Sequence, residues 1–179
     1  MNSQLIFNDE IFKQDFPLEG AHLVAASAGT GKTYNIQNIY ARLIMEKGWR
    51  VSEIQVMTFT DAATKELRER LRTVLADVQL RLEDQPCPGK DAEDTLRRNE
   101  RADKLVAACW QKTQMQKKAA IGLALLEFDS AAISTIHGFC SRALGRYAFE
   151  THTTFAPEIE DNKDAELSRR TLDWWRKRA

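Results

Sequence analysis

The stretch AASAGTGKT at positions 25–33 constrains the fold more than any other part of the sequence. It fits the phosphate-loop pattern G-x-x-x-x-G-K-[ST] except at the first position, where Ala26 replaces glycine. The apolar run 22–26 predicts a buried strand, and periodicity from Lys32 to about Lys47 predicts a helix that stops at Gly48. A glycine loop between a buried strand and a helix is a setting in which backbone N–H groups bind phosphate. The sequence therefore predicts a nucleotide site.

The residue types in this loop suit a nucleoside triphosphate. Gly29 and Gly31 allow the backbone to curl around phosphate oxygens, and the ammonium of Lys32 is placed to reach the outer phosphates. The hydroxyl of Thr33 is suited to a magnesium ion. A small residue such as Ala26 can serve where the backbone angles do not require glycine. Kinases, GTPases, transport ATPases and helicases share this loop, so it does not name a function.

Composition bounds the class of protein. The chain has 179 residues, 43% hydrophobic and 29% charged, with zero formal net charge, which is typical of a soluble globular protein and leaves nucleic-acid binding open. Three cysteines, Cys87, Cys109 and Cys140, show no metal or disulfide spacing, which favours reduced thiols in a cytoplasmic protein. No apolar run is long enough to span a membrane, and the N-terminus does not resemble a signal peptide.

A second strand, within 53–58, runs directly into a long helix that Thr60 or Asp61 is able to cap. At the junction, the hydroxyls of Thr58 and Thr60 and the free N–H groups of the helix suit phosphate, and Phe59 is able to stack on a base. From the residues alone, we favour a core Phe59 and a structural N-cap at Thr60. The apolar faces predicted for the first two helices are Ile36, Ile39, Tyr40, Leu43 and Ile44, and then Ala63, Leu67, Leu71, Val74, Val78 and Leu82.

A third strand at 131–135 and a helix at 138–149 repeat this arrangement in AISTIHGFCSRAL. His137 stands at the junction as a candidate base, metal ligand, DNA contact or core histidine. Cys140, three residues later, is a weak partner for either a metal site or a nucleophile pair. Strands alternating with helices predict an α/β fold with a parallel sheet.

Taken in order, ASAGTGKT, TFTDAATKELRERLR and STIHGFCSRAL resemble the N-terminal part of a superfamily I DNA helicase of the UvrD type. FPLEG before the first strand, the run at 62–68 and AFE at 148–150 are most similar to RecB-type beta subunits of exodeoxyribonuclease V. Phosphate loops of this family commonly begin with alanine, so the resemblance accounts for Ala26. It implies an α/β P-loop NTPase fold, part of a RecA-like motor domain with helical insertions.

The resemblance also implies roles for individual residues. ATP and Mg²⁺ would be the cofactors, Lys32 and Thr33 the catalytic residues at the phosphates, and Thr33 the magnesium contact. The cofactor-binding positions would be Ala26, Ser27, Ala28, Gly29, Thr30, Gly31, Lys32 and Thr33. The DNA-binding positions would be Thr58, Phe59, Thr60, Thr135, His137 and Gly138. The family's adenine-reading glutamine has no clear match, because Gln14 lacks the expected surroundings and Glu19 precedes Gly20. Implied partners are single-stranded and duplex-end DNA and RecC- and RecD-type subunits, without a membrane.

Five segments are expected. They are an arm (1–20), the first part of the helicase domain (21–83), a charged helical insertion (84–127), the rest of that domain (128–150) and the start of a helical accessory subdomain (151–179).

No Asp-Glu pair follows a strand; the nearest candidate, LALLEFD at 123–129, has the wrong spacing and position. We therefore expect weak ATP–Mg binding without helicase-rate turnover. An AddA-type subunit, a non-catalytic nucleotide- or DNA-binding module and another P-loop class, such as a nucleotide kinase, are the alternatives.

Overall fold

The computed structural model describes residues 10–23, 31–151 and 164–177. The helices are α1 (Lys32–Arg42), which continues as a π-helical turn (Leu43–Lys47), α2 (Asp61–Leu82), α3 (Ala92–Ala108), α4 (Gln114–Leu126), α5 (Ile136–Arg146), α6 (Ala148–Thr151) and α7 (Asp164–Arg176). The strands are β1 (Val56–Thr58) and β2 (Ile133–Thr135), and short 3-10 turns cover Glu10–Phe12 and Phe128–Ser130. The described residues are mostly helical around one parallel strand pair, which agrees with the predicted α/β class. No helix among them is long and apolar enough to cross a membrane.

The strands β1 and β2 pair in parallel, with Val56 opposite Ile133 and Thr58 opposite Thr135. Strand β2 leads directly into α5, and two residues separate β1 from α2. Parallel neighbours place their carboxyl ends at one edge, so both strand-to-helix junctions start from the same side of the sheet. Both strands were predicted, although Glu53 and Ile54 lie in a turn before β1. The predicted strand at 22–26 lies outside the described residues apart from His22 and Leu23.

Helix α2 carries the centre of the core. Its predicted apolar positions from Leu67 to Leu82 are buried, and Ala63 is half-buried. Thr60 is its N-cap, with the Ala63 N–H donating to Oγ1 at 3.2 Å, as predicted. Helices α1, α3 and α4 all pack against α2. The apolar spacing of three and four residues along α2 therefore organises a single cluster that also includes Ile133 of β2.

The charged segment at 90–104 forms the start of α3. Asp91 caps it by accepting from the Asp94 N–H at 2.7 Å. Its inner positions Ala102 and Leu105 are fully buried in the cluster formed by α2. The segment is therefore a helix that buries Ala102 and Leu105 in the core, while charged residues such as Glu100 and Asp103 stay exposed.

The predicted apolar face of α1 is partly wrong. Tyr40 and Ile44 are buried, but Ile36 is 40% exposed. The buried surface instead includes the polar residues Asn35, Gln37, Asn38 and Arg42. Hydrophobic periodicity missed this surface because its neighbours supply polar partners: backbone carbonyls of the N-terminal arm and a guanidinium of α3.

The N-terminal arm is held by Arg42. The guanidinium donates to the carbonyl oxygens of Ile11 and of Lys13, the latter at 2.9 Å, and lies 5.5 Å from the ring centroid of Phe16. Its Nε also donates to Glu46 at 2.5 Å. The buried charge is thus compensated by one carboxylate and two carbonyls, and the described part of the arm is fixed against α1.

The chain divides into two compact units, Met1–Ile136 and His137–Ala179. Helix α5 begins at Ile136, two residues earlier than the predicted position 138, and ends at Arg146, and Tyr147 separates it from α6. In the second unit, the segment expected to start a helical accessory subdomain contains α7, in which Leu167, Leu172, Trp174 and Trp175 are exposed.

Candidate functional site

The start of α1 places Lys32 and Thr33 after a left-handed residue. Gly31 has φ 95°, a conformation that glycine adopts without the steric cost of a Cβ atom, and its carbonyl accepts from the Asn35 N–H at 2.9 Å. Lys32 is exposed and Thr33 is half-buried. The predicted phosphate contacts from Ala26 to Thr30 lie outside the described residues. What is described is a helix N-terminus beside an exposed ammonium, an arrangement that suits an anion.

The junction between β1 and α2 is ordered by hydroxyl groups. Thr58 Oγ1 bonds to the Thr60 carbonyl at 3.1 Å and to Thr64 Oγ1 at 2.5 Å. Between the two threonines, Phe59 is 82% exposed, so the expectation of a core phenylalanine is wrong. The reason is local: the bonds from Thr58 and the cap at Thr60 fix the backbone in a turn that projects residue 59 outwards. An exposed aromatic beside capping hydroxyls has the chemistry to contact a base and a phosphate.

The end of β2 brings a second motif to the same edge. Thr135 is the register partner of Thr58, so two of the predicted DNA-binding residues lie side by side at the carboxyl ends of adjacent strands. His137 is exposed and Gly138 half-buried, and both belong to the second unit. A core histidine is therefore excluded. No group of three or more His, Cys, Asp or Glu side chains able to hold a metal occurs among the described residues, so the ligand alternative has no support there.

The cysteines differ in their exposure. Cys87 and Cys109 are buried and Cys140 is exposed, and all three are free thiols, as expected. Burial is the main cause that raises the pKa of Cys87 to about 11 and of Cys109 to about 12. Thiols with such high pKa values remain protonated at neutral pH and are poor nucleophiles.

Comparison with known proteins identifies the family of the chain. Residues 7–177 match the UvrD/REP helicase N-terminal domain. The chain belongs to this helicase family. It is 35% identical over 172 residues to the RecBCD enzyme subunit RecB of Escherichia coli and 35% identical over 167 residues to that of Haemophilus influenzae. These alignments cover 90% and 89% of this chain but 13% of each relative. The RecB subunit of Chlamydia trachomatis is 31% identical over 175 residues, 94% of this chain and 15% of the relative.

The similarity to RecB confirms the family predicted from the three motifs. The chain spans about an eighth of the length of the Escherichia coli relative, since the alignment covers 13% of it. The motif residues Lys32, Thr58 and Thr135 all fall within the matched helicase domain.

Sequence reasoning missed Arg68, which links α2 to the segment that enters β2. From α2 it donates to the carbonyls of Ala131 at 3.1 Å and Ile133 at 3.4 Å, with a longer bond to Phe128 at 3.5 Å. These carbonyls lie in the segment that enters β2 and in β2 itself. Arg68 thus helps set the position of β2 relative to α2. Its half-buried position on a helix rich in exposed arginines gave no signal in the sequence.

Sequence reasoning also missed Arg101 of α3, which contacts α1 of the helicase domain. Its Nε donates to Asn38 Oδ1 and its Nη2 to Gln37 Oε1, both at 2.7 Å, and its guanidinium carbon lies 4.5 Å from the Tyr34 ring centroid. A groove of about 780 Å³ runs beside this contact, and Arg98, bound to the buried Asp77, lines it as well. The only sequence signal was the set of polar residues at helical spacing in α1.

Glu19, at the position considered for an adenine-reading glutamine, forms a 2.6 Å ion pair with Lys47. The hydrogen bond from Lys47 is the main cause that lowers the pKa of Glu19. This contact links the arm to the end of the π-helical turn.

Proposed function

We propose that this chain is the ATP-binding part of a DNA helicase of the RecB type, with part of a RecA-like motor domain. The observation that carries the proposal is the joint arrangement at three helix starts. A lysine and a threonine follow a left-handed glycine at α1, and Thr58 and Thr135 end paired parallel strands that lead into α2 and α5. All of these residues lie within the range 7–177 that matches the UvrD/REP helicase N-terminal domain, which supports the proposal.

ATP and Mg²⁺ are the proposed cofactors. Lys32 binds the outer phosphates as a point charge, Thr33 contributes its hydroxyl to the magnesium ion, and first-turn N–H groups of α1 point at phosphate oxygens. The loop residues from Ala26 to Gly31 complete the cradle in this proposal. A bound metal would polarise the phosphates, while Lys32, Thr33 and the loop would hold and orient the nucleotide.

Single-stranded DNA is the proposed second ligand. Thr58 and Thr60 contact phosphate, Phe59 stacks on a base, and Thr135, His137 and Gly138 supply the contacts of the next motif. By similarity to RecB subunits, the protein unwinds and processes duplex DNA ends, with RecC- and RecD-type partners. The relatives reported above are RecB subunits, which favours the RecB type over an AddA-type helicase-nuclease subunit.

Lys32→Ala tests the nucleotide site. The wild-type chain should gain thermal stability with ATP–Mg, because a ligand that binds only the folded state stabilises it by mass action. Lys32 is exposed, so its replacement should leave the unliganded melting temperature unchanged while removing the shift. Differential scanning fluorimetry with and without ATP–Mg measures both. Lys65→Ala, at an exposed position on α2, is the control and should keep the full shift. An undiminished shift in Lys32→Ala would show that the nucleotide binds elsewhere.

A further inference from the structure

Arg101 of α3 binds one face of α1 close to its start. Tyr34, Gln37 and Asn38 are spaced i, i+3 and i+4, so their side chains lie on one side of the helix. The guanidinium stacks on the first and donates to the other two. The planar guanidinium of an arginine is able to make these three contacts at once, whereas the ammonium of a lysine is not. Arg101 therefore fixes the orientation of the first turns of α1 relative to α3.

This cation is held without a carboxylate. Within the described part of the chain, Arg97 and Arg98 pair with Asp94 and Asp77, but no carboxylate lies within salt-bridge distance of Arg101. Desolvation is the main cause that lowers the pKa of Arg101 to about 10. Holding a desolvated cation on neutral amides is unfavourable compared with an apolar contact of similar size. Stability alone thus gives little reason for an arginine here.

A second set of contacts reaches the same turn of α1. The ring of Phe12, in the arm, packs edge-to-face against Tyr34 with 6.3 Å between centroids. Lys104, one turn beyond Arg101 on α3, lies 5.8 Å from the Phe12 ring centroid. Tyr34 directly follows Thr33, so both α3 and the arm contact the residue next to the proposed magnesium ligand.

We propose that Arg101 is a positioning residue that couples α3 to nucleotide binding at the start of α1. This rests on the proposed function. By holding Tyr34, Gln37 and Asn38, Arg101 keeps the first-turn N–H groups, Lys32 and Thr33 in the orientation that binds phosphate. Small displacements of such groups weaken binding, because each bond depends on distance and angle. The coupling is reciprocal, so nucleotide at Lys32 stabilises the contact between α3 and α1.

Affinity measurements separate position from charge. Isothermal titration of Arg101→Met and Arg101→Lys should show a Kd for ATP–Mg raised by about tenfold in both, a typical coupling between two sites. The lysine variant retains the charge but loses the planar guanidinium, so it should bind ATP–Mg as weakly as the methionine variant does. The affinity of both variants for magnesium tripolyphosphate should fall by the same factor, because the effect acts on the phosphate contacts. Arg97→Met removes an exposed charge from the same helix. Its Kd for ATP–Mg should stay within about twofold of the wild-type value.

Hydrogen exchange provides a readout that a purely structural role would not move. ATP–Mg should slow amide exchange in α3 of the wild-type chain, although the nucleotide is proposed to bind at α1. Tyr34→Leu and Arg101→Met should remove this protection in α3 while retaining it at the start of α1 under saturating nucleotide. In Lys32→Ala, ATP–Mg should slow amide exchange neither in α3 nor at the start of α1.

The outcomes distinguish this coupling from the proposed function. If wild type binds ATP–Mg and Lys32→Ala does not, yet Arg101→Met binds like wild type, the coupling is wrong and the nucleotide site stands. If Arg101→Lys retains wild-type affinity while Arg101→Met loses it, charge acts instead of position, which also overturns the coupling. If wild type itself does not bind, or Lys32→Ala binds equally well, the proposed function fails.

Discussion

Phe59 shows at the residue scale how a short hydrogen-bonded turn overrides hydrophobicity. A phenylalanine after a buried strand is usually a core residue, but this one is 82% exposed because Thr58 and Thr60 fix the turn around it. An aromatic side chain left in solvent gains nothing from folding. Its exposure therefore points to a binding role, and stacking against a nucleobase is the role that fits the proposed function.

Phe59→Ala should weaken single-stranded DNA binding and leave stability unchanged. Loss of one stacked base costs about 1–3 kcal/mol, or roughly 5- to 150-fold in Kd. The slope of log Kd against log salt should not change, because stacking releases no counterions. Fluorescence anisotropy of a labelled oligonucleotide at several salt concentrations measures both quantities. Met115→Ala, 80% exposed on α4, is the matched control. Wild-type affinity in Phe59→Ala would contradict base stacking.

At the scale of the element, α2 was predictable from sequence and α1 was only partly so. The ends, the cap and the buried positions of α2 follow from one capping threonine and a regular apolar spacing. The packing of α1 does not follow from spacing, because its buried Asn38 and Arg42 depend on partners distant in the chain, Arg101 and the arm. Such partners leave no local pattern. The strand-to-helix junctions were predicted because their motifs are local in the sequence. The role of Arg68 was not predicted, because its carbonyl partners are distant in the chain.

Thr60→Ala tests the cap of α2. Removal of an N-cap hydroxyl should lower the free energy of unfolding by about 1 kcal/mol, because the Ala63 N–H loses its acceptor. Chemical denaturation followed by circular dichroism measures the change. Thr73→Ala is the control: this threonine lies on an exposed part of the same helix, and its hydroxyl bonds back to the Glu69 carbonyl. It should change stability by less than about 0.5 kcal/mol. Equal losses in the two variants would argue against a specific capping role for Thr60.

At the scale of the whole molecule, phosphate binding and hydrolysis are separate properties. The start of α1 supplies a lysine, a threonine and helix N–H groups, which are the groups proposed to hold phosphate. Hydrolysis by such motors also needs a carboxylate that polarises water and arginines from an opposing domain. The acids of LALLEFD are engaged otherwise: Glu127 bonds to Arg50, which is the main cause of its lowered pKa, and Asp129 lies 3.6 Å from Arg72.

We therefore expect this 179-residue polypeptide to bind ATP–Mg without turning it over at a motor's rate. Phosphate release should stay below about 0.01 per second, against about 1–1,000 per second for typical enzymes. Single-stranded DNA should not accelerate it, because the acids of LALLEFD are already paired with Arg50 and Arg72. A coupled phosphate assay with and without oligonucleotide measures the rate, and Lys32→Ala measures the background from contaminating ATPases. DNA-stimulated release by wild type that disappears in Lys32→Ala would show that the chain carries a complete catalytic site.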